Sequence, residues 1–339
     1  MKNKRMGKAT VKLQNPVHIV EAACIAGTKE GKGPLSSYYD EILTDDLYDE
    51  KTWERAESKL QKNTLQKLIS KSGKSMQDVD YVFAGDLLNQ CCGTHYALSD
   101  TGIPFFGLYG ACSTMAESLS LAAMLVDGGF AETTVAMTSS HFCSSEKQFR
   151  FPLEYGGQRT PTAQWTVTGS GAVMLSKEGD GPYVTHITTG KIVDMGITDI
   201  NNMGAAMAPA AVDTMSTHFE DSGIAPSDYD LIVTGDLGNV GWDIARDMLM
   251  KSGYDVSKNY NDCGRLVFDM EKQDVHAGGS GCGCSAITFC GYILERMRKG
   301  EFNRVLLVCT GALMSPTALL QGESIPGIAH AVAIQRSMK

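Results

Sequence analysis

No stretch of the chain approaches the ~18 consecutive apolar residues of a membrane span. A secretory-type leader core is missing too, since Val17–Gly27 is short and broken by Glu21. The ten cysteines follow no disulfide framework and fall mostly at expected strand ends or in glycine-rich turns. We therefore expect a soluble protein with reduced thiols, made in a cytoplasm-like compartment. Cys282 and Cys284 with His276 lack the second cysteine pair of a structural zinc site, so no metal is expected there. A basic surface is also absent: 30 Lys and Arg face 39 Asp and Glu, a net charge of −9. Lys2, Lys4, Arg5, Lys8 and Lys12 occupy residues 1–12 without an acid, which leaves 25 − 39 = −14 for the remainder. Such an acidic body argues against nucleic-acid binding. The basic tail reads as a solvated, frayed N-terminus, with contact to an anionic membrane surface, at ~1 kcal/mol per charge, as the alternative.

What is present is an ordinary globular composition, 43% apolar and 20% charged, in 339 residues, enough for two domains or one duplicated unit. An internal repeat favours duplication. Ser72–Asn89 aligns without gaps on Ser222–Asn239, with eight of 18 positions identical, including Gly73/Gly223, Asp78/Asp228, Asp80/Asp230, Asp86/Asp236 and Asn89/Asn239. Cys112–Thr138 then parallels Cys284–Thr310, and the offset grows from 150 to 172, placing 22 extra residues near 240–265. Val79–Ala84 and Tyr229–Thr234 read as buried parallel strands, followed by strands at Thr133–Met137 and Val305–Cys309. Met115, Leu119, Ala122, Ala123 and Val126 lie at helical spacing and predict a helix with one buried face, opened by a Thr114/Glu117 capping box. The expected fold class is α/β, with two pseudo-symmetric halves on mostly parallel mixed sheets: 1–180, carrying Cys112, and 181–339, carrying the His276–Cys284 loop.

Cys112 stands at a strand–helix elbow, where the positive end of the helix dipole favours a thiolate. The bland alternative is a buried cysteine acting as a small hydrophobe. His141 follows a strand end, where open α/β sheets bind ligands, although a lone histidine is commonly structural. Asp86, Asn89, Asp236 and Asn239 follow equivalent strand ends; turn chemistry accounts for them equally well and suits the repeat. The glycine-rich loop His276–Cys284 offers backbone N–H groups to an anion.

These residues together make the chain resemble the thiolase and ketoacyl synthase superfamily, from about Val17 to Arg336. The marks are the Ala111-Cys112 elbow, the Val167–Val173 strand and the loop before Cys284. The resemblance implies a duplicated αβαβα five-layer fold, a homodimer, and a cysteine nucleophile acting on acyl thioesters. Two catalytic slots depart from it. Asp236-Leu237-Gly238-Asn239 stands where ketoacyl synthases of type III have His-Gln-Ala-Asn, and Cys282 stands at their loop asparagine. A carboxylate repels the oxyanion that a neutral imidazole would stabilise. His276 imitates the thiolase histidine, but the thiolase Cys-x-Gly-Gly-Gly motif is missing.

Segments 85–90, 109–117, 139–152 and 276–285 resemble a sporulation branch of that superfamily. Its resemblance implies a non-catalytic protein that binds dipicolinic acid (pyridine-2,6-dicarboxylate) in the pocket its relatives use for catalysis. It also implies membrane-embedded partner subunits, peripheral association with the spore inner membrane, and uptake of the ligand in sporulation with release in germination. No cofactor is expected beyond calcium accompanying the ligand, which Asp86 and Asp236 would welcome. The expected ligand set is Cys112, His141, Asp86, Asn89, Asp236, His276, Cys282, Cys284, Arg150 and Arg159, with Lys147 adding charge and Tyr109, Phe142 and Phe149 stacking on the ring. For the basic residues, a solvated loop or dimer salt bridges is the alternative. The rival function is an active acyltransferase or condensing enzyme using Cys112 with His141 or His276.

Overall fold

The computed structural model describes residues 4–149 and 158–337. In the first half the principal strands are β1 (Thr10–Ala26), β2 (Tyr81–Gly85), β3 (Phe105–Gly107), β4 (Thr133–Ser140) and β5 (Gly169–Ser176). In the second half they are β6 (Tyr183–Thr188), β7 (Leu231–Thr234), β8 (Tyr260–Asp262), β9 (Arg304–Ala312) and β10 (Gly327–Gln335). Reading outward from an antiparallel β1–β6 seam, one half runs β1-β5-β4-β2-β3 and the other β6-β10-β9-β7-β8. The two orders are the same. In each half the outer three strands are parallel and the inner pairings antiparallel.

Helices α1 (Trp53–Ser72), α2 (Cys92–Leu98), α3 (Thr114–Gly128), α4 (Phe142–Phe149), α5 (Met203–Ser222) and α6 (Gly238–Lys251) connect the strands. A further run, α7 (Cys282–Ile287), passes through a π turn (Thr288–Ile293) into α8 (Leu294–Arg298). Helix α1 covers the outer face of β1 and β5, and α5 the outer face of β9 and β10. Helix α3 touches β2 and β4 of its own half and also β9 and β10 of the other, so it lies between the sheets, as does α7. This makes the layers α, β, α, β, α. The expected face of α3 is buried, with Met115, Leu119, Ala122, Ala123 and Val126 at 0% exposure, and the burial extends to Ala116, Ser118 and Ser120, leaving Glu117, Leu121 and Met124 half-buried on the opposite side. A helix buried over so wide an arc belongs in a central layer.

The repeated residues do repeated backbone work. Gly73 and Gly223 end α1 and α5 at φ 67° and 69°, in the left-handed region where a Cβ is costly. The carboxylates of Asp78 and Asp228 accept from the N–H of Ser75 and Ala225. Asp80 accepts from Glu132 and Thr133 N–H, and Asp230 from Asn303 and Arg304 N–H, tying each strand end to the next strand. The extra residues of the second half lengthen α6 to 14 residues, against seven in α2. From residue 4 onward the basic tail is not frayed. Arg5–Met6 pairs with β1, Lys4 is ion-paired to Asp127 at 2.8 Å, and Asp221 accepts from Lys8, Ala9 and Thr10 N–H. Among the described residues, no helix is long and apolar enough to cross a membrane.

Candidate functional site

A cleft of about 310 Å³ opens at the carboxyl ends of the parallel strands. Leu87 and Asn89, just past β2, form one wall with Tyr109 and the Ala111-Cys112 elbow. Ser145, Glu146 and Phe149 of α4 form another, and Thr166 and Ser280 a third. Ile200, Met203 and Ala312–Pro316, the segment that leaves β9, complete the lining. Tyr109 donates to Asn89 Oδ1 at 3.3 Å. Ser145 Oγ is buried and has no hydrogen-bond partner among the described residues, which leaves a hydroxyl at the cleft wall.

The elbow is built by Ala111, whose φ of 50° puts a residue with a Cβ in the left-handed region. No capping box opens α3. A 3-10 turn, Ala111–Ser113, leads in, Thr114 Oγ1 donates to Ala111 O, and the Glu117 carboxyl turns toward Gly110 instead. Cys112 therefore sits inside that turn, 7% exposed, with the Asp236 carboxyl as its charged neighbour. Burial, reinforced by the Asp236 charge, pushes the Cys112 thiol well above its ordinary value. This overturns the thiolate expectation: desolvation and one facing carboxylate outweigh the helix dipole.

Asp236 lies directly behind Cys112. Its Oδ1 accepts from Thr310 Oγ1 at 2.7 Å and its Oδ2 from Gly281 N–H at 2.9 Å. Burial lifts its carboxyl to about 6. Its repeat partner behaves differently. Asp86, also buried, accepts from Leu88 N–H and from Thr94 N–H and Oγ1, so turn chemistry describes Asp86 only. In the second half that work falls to Asp262, which accepts from Leu237 and Gly238 N–H. The carboxylate oxygens of Asp86 and Asp236 are thus each engaged by donors of the protein itself. Among the described residues, no group of three or more His, Cys, Asp or Glu is placed to hold a metal.

Cys282 packs against Cys112 and Leu87 and donates to Ser139 O at 3.0 Å. The other expected residues point elsewhere. The His141 Nε2–H donates to Asp46 O at 2.8 Å and Nδ1 accepts from Cys143 N–H; burial holds the ring neutral by lowering its pKa. His276 donates from Nδ1 to Thr160 O and meets Asp274 through Nε2. Arg159 binds the Asp274 carboxylate at 3.0 Å and, with Lys29, covers Trp165; Phe142 stacks on that same indole at 3.7 Å. Lys147 is paired with Glu54 at 2.6 Å. Cys284 is a core residue beside Cys263, and burial pushes its thiol well up. The glycine loop spends its N–H groups internally: Gly281 on Asp236 and Gly283 on Ser140 Oγ. Its glycines serve close packing, since a Cβ on Gly283 would fall 2.6 Å from Ser140 Oγ. Arg150 lies outside the described residues.

The cleft thus gathers Cys112, Asn89, Tyr109 and Phe149, with Asp236 and Cys282 behind the wall. Sequence reasoning missed Ser145, Thr166, Ser280 and the 312–316 segment. The last has a legible signal, because it follows the carboxyl end of a repeat strand, where α/β sheets bind ligands. Ser145 has none.

Comparison with known proteins agrees with this architecture. Residues 7–335 match the family model described as Stage V sporulation protein AD (SpoVAD). The chain is 46% identical over 334 residues to Stage V sporulation protein AD of Bacillus subtilis (strain 168), covering 98% of each. Among solved structures it resembles the 3-oxoacyl-[acyl-carrier-protein] synthase III of Aquifex aeolicus VF5 (TM-score 0.55, 12% identity, 94% of this chain and 99% of that one). It also resembles human mitochondrial 3-ketoacyl-CoA thiolase in complex with CoA (TM-score 0.60, 14% identity, 96% and 99%). Those two likenesses fix the fold as thiolase-like. At 46% identity to that Bacillus subtilis relative over nearly its whole length, the chain belongs to the stage V sporulation protein AD family.

Proposed function

We propose that this chain is a non-catalytic, thiolase-fold binder of dipicolinic acid, serving uptake of that acid in sporulation and its release in germination. The observation that carries the reading is the acid behind the thiol. By the family resemblance Asp236 stands in the slot of a catalytic imidazole, where its charge holds the Cys112 thiol well up and would repel a thioester oxyanion instead of stabilising it. The cleft nevertheless persists, at a volume suited to a one-ring ligand, with Tyr109 and Phe149 as apolar flanks and Ser145, Asn89 and Ser280 as polar ones. Calorimetry with dipicolinate, with and without calcium, tests this; no heat at millimolar ligand under either condition refutes it.

The partners follow from the same reading: membrane-embedded subunits of a spore complex, this chain being peripheral to the inner membrane, and a second copy of itself. The homodimer would pair along β3, the outermost strand of its half, where Phe106 is 52% exposed and stacks on Phe83 at 5.2 Å. Light scattering on Phe106→Asp should report a monomer where the parent chain is a dimer. The retained Cys112 elbow favours one alternative, an acyltransferase of the ketoacyl synthase III type. Intact-mass measurement after incubation with acyl-CoA separates the two, since an active enzyme carries an acyl adduct on Cys112 and a binder carries none.

A further inference from the structure

Cys112 is shared between two environments. Its side chain lines the cleft and packs on Cys282, while on its buried side stands Asp236, bound to the N–H of the adjoining Gly281, the acceptor a thiol there would turn its proton to. As long as Asp236 is ionised, the sulfur shows the cleft only lone pairs, with a negative charge behind them. An anionic ligand meets repulsion. A proton on Asp236 removes the charge and frees the thiol to donate forward, while the remaining carboxyl oxygen still accepts from Gly281 N–H.

We infer that Asp236 is the proton acceptor that couples anion binding in the cleft to uptake of one proton, with the Cys112 thiol as the switch between them. This deepens, and rests on, the reading of the cleft as a carboxylate site. The proton comes from solvent and no covalent bond changes. The surroundings of Asp236 suit the role. Cys112 comes from the elbow, Thr310 and Cys309 from β9, Gly281, Cys282 and Cys284 from the start of α7, and Asp262 and Cys263 from the end of β8. Gln164 reaches only its backbone carbonyl. Among the described residues, no lysine, arginine or histidine donates to either carboxyl oxygen, and Asp262 adds like charge. Burial places the Asp236 titration at about 6, where one proton is readily exchanged.

Two measurements test it. In the ligand-free protein, iodoacetamide labelling of Cys112, read by peptide mass, should begin at least one pH unit lower in Asp236→Asn than in the parent chain. Superimposable profiles refute the acid–thiol link. Dipicolinate calorimetry at pH 7, in buffers of different ionisation heat, should then report uptake of nearly one proton by the parent chain and none by Asp236→Asn. Affinity in the parent chain should weaken about tenfold per pH unit above 6. Thr310→Val, which removes one donor from Asp236, should move that break to higher pH. Binding without proton uptake overturns the coupling and leaves the dipicolinate reading intact. No binding at any pH refutes both.

Discussion

Replacing Asp236 by asparagine should make the protein more stable, and the gain should depend on pH in a calculable way. An acid whose folded pKa is raised binds its proton more tightly in the native state, so its contribution to stability falls as pH climbs from the unfolded value through the folded one. For Asp236 the two values are 3.8 and about 6, so the penalty is fully present above pH 7 at about 3 kcal/mol. Between pH 4.5 and 7.5 it grows by about 2 kcal/mol. Asparagine keeps an oxygen for Gly281 N–H, and its amide faces the Thr310 hydroxyl, which can turn to accept. Any mismatch there costs about 1 kcal/mol at both pH values and drops out of the difference. Relief of the neighbouring Asp262, lifted to about 7 by its own burial, acts in the same direction. Urea unfolding of both proteins at pH 4.5 and 7.5 measures the effect. Asp236→Asn should gain about 2 kcal/mol on the parent chain over that interval. Parallel pH dependence would show that Asp236 is not a strained buried acid and would remove the basis for the silenced thiol.

Ser145→Ala should stabilise the free protein by about 1 kcal/mol, because its buried hydroxyl has no partner, yet weaken dipicolinate binding; thermal shifts with and without ligand read both. Glu57 is buried beside Asp86, and burial first, then that neighbour, raises its pKa, so stability is lost as pH rises. Glu57→Gln, which keeps an acceptor for one of Ser139 and Ser144 while the other hydroxyl turns to accept from the amide, should raise the melting temperature at pH 8 and change it little at pH 4.5. Asp221→Ala strips the acceptor from three consecutive N–H groups and should cost about 1–3 kcal/mol, with hydrogen exchange accelerating at Lys8–Thr10.

The duplication was legible because its shared residues hold backbone, and backbone needs are local. Gly73 and Gly223 end helices; Asp80 and Asp230 tie strands, each within its own half. The Cys112 elbow was legible for the same reason. The direction of a side chain was not, since it depends on what the fold brings to it. His141 follows a strand end as expected, but its ring is drawn to Asp46 O, 95 residues away. His276 is held by Thr160 O and Arg159 by Asp274. Asp86 and Asp236 are the same residue in the same repeat position. One caps its own turn, whereas the other finds Gly281 and Thr310, 45 and 74 residues distant, and through them faces the thiol. Glycine content likewise marked a loop of close packing, with its donors turned inward.

The most direct test of the account is a crystal structure of the protein soaked with dipicolinate. The account predicts a planar ring in the cleft between Tyr109 and Phe149, with a carboxylate within hydrogen-bond reach of Cys112 and Ser145. An empty cleft with the ligand bound elsewhere, or not at all, would contradict it.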